Sequence, residues 1–201
     1  MKNVFLGEYI KQRRLDLGLT QEQLCDGICE PMTLSRLENG KQTPSRNRIN
    51  ALLQRLGLPD DRYFALLSKN ELEMEALQKE IVACNANHRV EEGFETLKKF
   101  EQIADHDDQI AQQFILRSKV LLGRLDQRYT PQEQIDLLMQ AIRLTVPRFN
   151  LDEIERFFYS TDEIKIINQI GIAYSDDGQN KKAADIYYQL LKYVRKHSTV
   201  L

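Results

Sequence analysis

The 201-residue chain has little of what most site chemistry needs. It carries three cysteines, an odd number, and this fits a reducing cytosol better than a disulfide framework. The three histidines, His88, His106 and His197, are scattered and form no cluster. Cys25 and Cys29 are four apart, but no histidine or acidic pair completes a four-ligand set, so no metal or other cofactor is expected. Cys25 and Cys84 read as core residues, while Cys29 is open to a redox reading. There is no Gly-rich phosphate loop, nucleophile elbow or zincin motif, and nothing speaks for an enzyme. Asp107-Asp108 and Asp176-Asp177 fall in helix-ending turns, where acidic pairs act as caps. No run of about 18 apolar residues occurs, which excludes a spanning helix and a membrane partner. The opening MKNVFLGEYIKQRR lacks the apolar core and cleavage site of a signal peptide, so a cytoplasmic location is expected. Five prolines and nine glycines argue against long disordered linkers.

Charge of one sign is also lacking. The net charge is −2, but it is unevenly split. Residues 1–68 hold 10 Lys and Arg against 8 Asp and Glu, and residues 69–201 hold 18 against 22. A mildly basic front and an acidic back suit two parts with different partners. Charge alone would not suggest nucleic acid.

What is present is a stretch of local helix punctuation, Leu19 to Pro44. Thr20 suits an N-cap, and Gln23 stands three residues later in capping-box register. Leu24 and Ile28, four apart, make an inward stripe. Pro31 suits the first turn of a second helix, whose inward residues are Leu34 and Leu37. Gly40 sits where a left-handed C-cap ends it. Before this pair, Phe5 to Leu17 reads as a helix with Leu6, Tyr9, Ile10, Arg13 and Leu17 at helical spacing. After it, Ser45 to Leu56 reads as a helix with Ile49, Leu52, Leu53 and Leu56 inward. Asp60 to Leu67 reads as a short fifth helix.

TQEQL followed by LSRLENGKQTP resembles the helix-turn-helix of phage-repressor (Xre-type) DNA-binding domains over residues 1–66. The turn is about one residue shorter than in those repressors, and Cys29 stands where glycine is usual. The shorter form, GICEPMTLSRLENG, is similar to the Rgg- and PlcR-like regulators. The resemblance implies double-stranded DNA as a partner. Pro31, Met32, Thr33, Ser35 and Arg36 are the outward positions of the recognition helix, and the resemblance puts Thr33 and Arg36 at its base-contacting places, with Met32 or the Thr33 methyl able to touch a thymine methyl. Arg36 has the chemistry to pair with guanine O6 and N7. Gln21, Asn39 and Lys41 match backbone-contact places, which position without specifying, and Arg46 and Arg48 are further phosphate candidates. It also implies a structural ion pair between Arg14 and Glu38. Every one of these polar residues is also what an ordinary solvated helix surface carries.

From residue 70 to 201 the texture changes to long amphipathic helices at 70–86, 88–104, 107–125, 131–146, 151–158, 162–176 and 180–197. Ile167 to Leu191 resembles a tetratricopeptide repeat. Ile170-Gly171, Tyr174, Ala183 and Tyr187 take the motif places, with Ile167 where tryptophan is usual. Phe114 to Pro147 is a degenerate second unit, and residues 70–104 are amphipathic only. A plain helical bundle is the competing reading. The fold expected is therefore all-α: a five-helix reader followed by a tetratricopeptide-like body.

Such repeats stack into a concave groove lined by the first helix of each unit. In the clear unit those residues are Lys165, Asn168, Gln169, Ile172 and Ser175. In Rgg- and PlcR-like regulators that groove takes a short signalling peptide, so peptide binding and quorum sensing are implied, with a homodimer formed by the body. Tyr187, Leu190, Leu191 and Val194 read as inward residues with no further helix to cover them. This predicts either a second subunit there or a shortened form of a longer chain. The competing functions are a DNA-binding protein whose repeats dock a protein partner, and an adaptor that has lost DNA binding.

Overall fold

The computed structural model describes residues 6–42, 44–58 and 69–198. Among them every regular element is helical: α1 (Leu6–Asp16), α2 (Gln21–Cys25), α3 (Pro31–Glu38), α4 (Arg46–Arg55), α5 (Lys69–Ala86), α6 (Val90–Ile103), α7 (Gln109–Leu125), α8 (Pro131–Thr145), α9 (Thr161–Asp176) and α10 (Asn180–Ser198), with a 3₁₀ segment at Leu151–Arg156. The fifth reader helix expected at 60–67 lies outside the described residues.

Local chemistry sets the reader's boundaries. Thr20 Oγ1 accepts from Gln23 N at 3.1 Å, and Gln23 Oε1 accepts from Thr20 N at 2.8 Å, closing a capping box at α2. The helix then stops at Cys25, so Ile28 lies in the turn rather than on the helix, although it is buried. Gly27 causes the stop: its φ is +72°, and an added Cβ would strike the backbone of Thr145. Pro31 opens α3, where its missing N–H costs nothing. At the other end Lys41 N reaches Arg36 O at 2.8 Å and Gly40 N reaches Leu37 O at 3.0 Å, the paired bonds of a Schellman cap. Ile10, Leu24, Leu34, Leu52 and Leu56 fill the core between these four helices. Tyr9 stays exposed, and Arg14 is buried in its place.

The body is three antiparallel hairpins, α5–α6, α7–α8 and α9–α10, stacked in order. This is the tetratricopeptide-like arrangement. Gly171 is needed where the Tyr187 ring lies on α9, because a Cβ there would come within 2.7 Å of it. Tyr174 is buried beside it, with Lys182 Nζ 4.3 Å above its ring.

All three hairpins turn with the same geometry. A left-handed residue follows each first helix, and the next N–H reaches back to the helix: Arg89 to Cys84 O, Arg128 to Gly123 O, and Gln179 to Tyr174 O. The third turn uses glycine, Gly178, whereas the first two hold His88 (φ 58°) and Gln127 (φ 56°) in the same strained region. Both side chains are exposed. Replacing either with glycine should therefore raise stability by roughly 0.5–1 kcal/mol, after allowing for glycine's extra freedom in the unfolded chain. A shift of the urea midpoint upward would register it, and a downward shift would refute the strain argument.

Two expectations fail in the second half. The helix predicted at 151–158 is a 3₁₀ segment that ends at Arg156, with non-helical Glu153 inside. Tertiary partners take its backbone groups: Ile154 N donates to Gln189 Oε1 at 3.1 Å, and Tyr159 OH donates to Ile154 O at 2.9 Å. Leu191 and Val194 are not inward. They face solvent with Tyr188, at 49, 36 and 69% exposure, while Leu190 and Tyr193 pack inward on the body core.

Candidate nucleic-acid interface

The geometry of the reader centres on one carboxylate. Glu38, at the end of α3, has a fully buried side chain. Its Oε1 accepts from Arg14 Nε at 2.6 Å and its Oε2 from Arg14 Nη2 at 2.9 Å, a two-pronged charge-assisted pair. Arg14 Nη1 donates to Leu19 O at 2.8 Å, so α1, the start of α2 and α3 are tied at one point. The hydrogen bond with Glu38 holds the Arg14 pKa above its ordinary value.

Gln21 differs from its expected place. Its Nε2 donates to Glu38 Oε2 at 2.7 Å, and the residue is half-buried. As placed, that amide finishes the Glu38 cage instead of reaching outward to a phosphate. Glu38 needs a third donor because burial strips it of water, and the first residue of α2 supplies it.

The outward face of α3 is otherwise open. Met32 is 64% exposed, Arg36 is exposed, and Thr33 and Ser35 are half-buried at the helix flank. Arg36 sits in the last turn of α3. Lys41 is exposed just beyond the cap. Asn39 is exposed too, with its Nδ2 given to Ser35 O at 2.7 Å, so it extends the cap of α3. Arg46 stands 3.6 Å from Glu75 of α5.

Cys25 and Cys29 flank the turn between α2 and α3. Cys25 is buried, and its hydrogen bond with Cys29 raises its pKa. The same bond, with Arg48 and Arg55 nearby, lowers that of Cys29 against a burial effect of opposite sign. Among the described residues one trio, Glu80, Cys84 and Glu92, brings three metal-type ligand atoms together. Arg89 already spans both carboxylates, at 3.0 and 2.7 Å, which makes the trio an ion-pair cluster.

The residues expected to line a peptide groove do not act together. Lys165 is exposed and paired with Asp162 at 2.9 Å. Gln169 Oε1 accepts from Arg117 Nε at 3.2 Å. Ser175 Oγ donates to Asn180 Oδ1, at the start of α10, at 3.4 Å. Of the five, Lys165 alone borders the 490 Å³ cavity that opens between α4 and the inner helices of the body; Asn168, Gln169, Ile172 and Ser175 do not.

Sequence reasoning missed the junction between reader and body. Arg55, at the end of α4, is buried. Its Nη1 donates to Leu24 O (3.0 Å) and Asp26 O (2.6 Å), and its Nη2 to Thr145 O (2.7 Å) and Glu163 Oε1 (2.8 Å). Ile110 and Phe158 of the body add apolar contact to the reader core.

Fold and site together define a class: a helix-turn-helix domain joined to a body of stacked helical hairpins. Residues 6–63 match the family model described as a helix-turn-helix domain. Among solved structures the chain is similar to Bacillus thuringiensis PlcR, crystallised in complex with the peptide PapR7 and DNA. The identity is 22%, the TM-score is 0.50, and the match covers 96% of this chain. The chain spans 65% of the length of that protein. No curated protein matches. Among the described residues no helix is long and apolar enough to cross a membrane.

Proposed function

We propose that the chain is a cytoplasmic, sequence-specific transcription regulator that reads an inverted repeat as a homodimer and answers to a short peptide bound by its body. Residues 1–66 are the reader and residues 70–201 the body. The observation that carries the reading is the Arg14–Glu38–Gln21 cage, which fixes α3 from behind while Met32 and Arg36 stay exposed in front. A recognition helix needs that combination: a rigid back and an uncommitted face. Arg36 pairs with a guanine, Met32 and Thr33 offer apolar contact to a thymine methyl, and Ser35, Asn39 and Lys41 hold the backbone. The main-chain N–H at Gln21 opens α2 and suits a phosphate even though the side chain is turned inward. A single small reader buries little surface, so two are required for useful affinity. The apolar stripe Tyr188, Leu191 and Val194 on α10 supports a second copy as the dimer partner. The peptide reading is supported by the hairpin stack and by the likeness of fold to PlcR.

Selection from randomised duplexes at two salt concentrations tests it. Enrichment of an inverted repeat, with Arg36→Ala weakening the selected site by roughly tenfold to a hundredfold per half-site, is the expected result. Sequence-blind, salt-sensitive binding that is the same in the variant would overturn it.

A further inference from the structure

Two of the chain's three free cysteines meet at the turn between α2 and α3. Cys25 is the last residue of α2, and Cys29 stands directly before Glu30, the N-cap of α3. Cys29 N donates to Cys25 O at 3.1 Å, which holds the two main chains about one helical turn, roughly 6 Å, apart. A disulfide joins Cα atoms about 4.4–6.8 Å apart, so no long-range movement is needed to link them. Their thiols are already hydrogen-bonded to each other.

The two thiols are not equal. Cys25 is 1% exposed, and Cys29 is half-buried. Their shared hydrogen bond, and then burial, keep the proton on Cys25. The same bond, with the guanidinium groups of Arg48 and Arg55, favours the thiolate of Cys29. A half-buried thiolate beside a protonated thiol is an attacking sulfur with its resolving partner in place. Cys84 on α5 is the opposite case. It is fully buried, and its Sγ donates to the Glu80 carboxylate at 3.5 Å, so burial and that carboxylate both disfavour its thiolate. The chain thus holds its own reference thiol.

We infer that Cys29 and Cys25 form a dithiol that hydrogen peroxide converts to a disulfide, and that the bond displaces α3 and weakens DNA binding. The Cys29 thiolate attacks one peroxide oxygen, the O–O bond breaks, and hydroxide leaves a sulfenic acid behind. The Cys25 sulfur then attacks the Cys29 sulfur, the S–O bond breaks, and the hydroxyl departs with the Cys25 proton as water. The two sulfurs give up two electrons, and the peroxide takes them. Cys25 needs no access to solvent, because its reaction partner is the Cys29 sulfur. A thiol reductant reverses the bond, as a reducing compartment requires of a regulatory disulfide.

The consequence follows from position. The bond draws the end of α2 toward the residue that precedes the α3 cap. Between them, Gly27 lies against the Thr145 backbone and Asp26 O is held by Arg55 at 2.6 Å. That side of the turn cannot yield, so the adjustment falls on α3. This consequence rests on the DNA reading above; the disulfide does not.

The test treats the reduced full chain with a few equivalents of hydrogen peroxide, then alkylates it and digests it with trypsin without reduction. No lysine or arginine lies between Cys25 and Cys29, so both fall in the peptide 15–36. That peptide should become lighter by two hydrogens and resist alkylation, while Cys84 stays alkylated. In Cys25→Ala the Cys29 sulfenic acid should persist and be captured by dimedone. Affinity for the selected duplex should fall roughly tenfold on oxidation and return with dithiothreitol. Cys29→Ser should bind the duplex equally with and without peroxide. Oxidation of Cys84 as fast as the pair, or a bond between two chains instead of within one, would overturn the site, and neither result depends on a variant that folds. An intrachain disulfide with unchanged duplex affinity would overturn the displacement of α3. Reduced protein that selects no duplex would overturn the DNA reading and with it the consequence for α3, while the peptide map still decides the disulfide.

Discussion

Glu38→Ala is expected to cost about 3–5 kcal/mol of reader stability, the scale for breaking a buried ion pair from one side. The loss is large because of what stays behind. Arg14 is buried at 7% exposure and would keep its charge, with Leu19 O left as its acceptor. The amide of Gln21 would lose its acceptor as well. A domain of this size holds about 5–15 kcal/mol in total, so the variant should be partly unfolded at 37 °C. Two companions separate charge from packing. Gln21→Ala removes one neutral donor to a charged acceptor and should cost about 1.5–3 kcal/mol. Arg14→Lys keeps the charge but cannot offer the two-pronged geometry, and should fall between. Urea unfolding followed by circular dichroism reads all three. A Glu38→Ala loss below about 1 kcal/mol would put this pair in the class of surface ion pairs and remove the rigid back that α3 is argued to need.

The reader's elements were legible because their signals are local. Thr20 and Gln23 cap each other across three residues, Pro31 opens a helix, and Gly40 closes it. None of these needs a distant partner. The role of Gln21 was not legible for the opposite reason: its acceptor, Glu38, lies 17 positions away and on another helix. Motif matching set Gln21 facing a phosphate, and the demand of a buried carboxylate for a third donor turned it inward. The 3₁₀ segment at Leu151–Arg156 shows the same limit. Its composition suits a helix, but Gln189, 35 positions on, offers Ile154 N–H a better partner than the helix would. The misjudged stripe on α10 has a related cause. Tyr187, Leu190, Leu191 and Val194 are all compatible with one face, and which of them is covered depends on segment 151–159 packing against the side that holds Leu190 and Tyr193. As for Arg55, an arginine in the last turn of a helix ordinarily serves the helix dipole at the surface. The one available signal was its position three residues after Leu52, at the flank of an apolar stripe.

Arg55→Ala should uncouple the reader from the body. The guanidinium is the meeting point of four acceptors, two carbonyls in the reader and one carbonyl and one carboxylate in the body. Removing it leaves Glu163, 2% exposed, with its charge buried and the Ser160 backbone N–H as the donor that remains, at 2.6 Å. The expected cost is again about 3–5 kcal/mol, and it falls on the junction rather than on either core. The form of unfolding should therefore change. The wild-type chain is expected to melt in one transition and the variant in two, with the reader first, because its small core has lost a buried brace while the body core has not. Glu163→Gln is the informative partner. Its amide oxygen can still accept from Ser160, so the cap of α9 survives, but Arg55 loses its counter-charge. It should weaken the junction without unfolding α9. Gly27→Ala attacks the same surface with no charge involved: the added methyl meets the Thr145 backbone, which cannot swing away, and the residue is held at φ +72°. If all three variants split the calorimetric trace and leave the body transition in place, the reader is clamped to the body at this junction. If Arg55→Ala merely lowers a single transition, reader and body share one cooperative core, and a peptide bound by the body would act on the whole chain instead of on the angle between its parts.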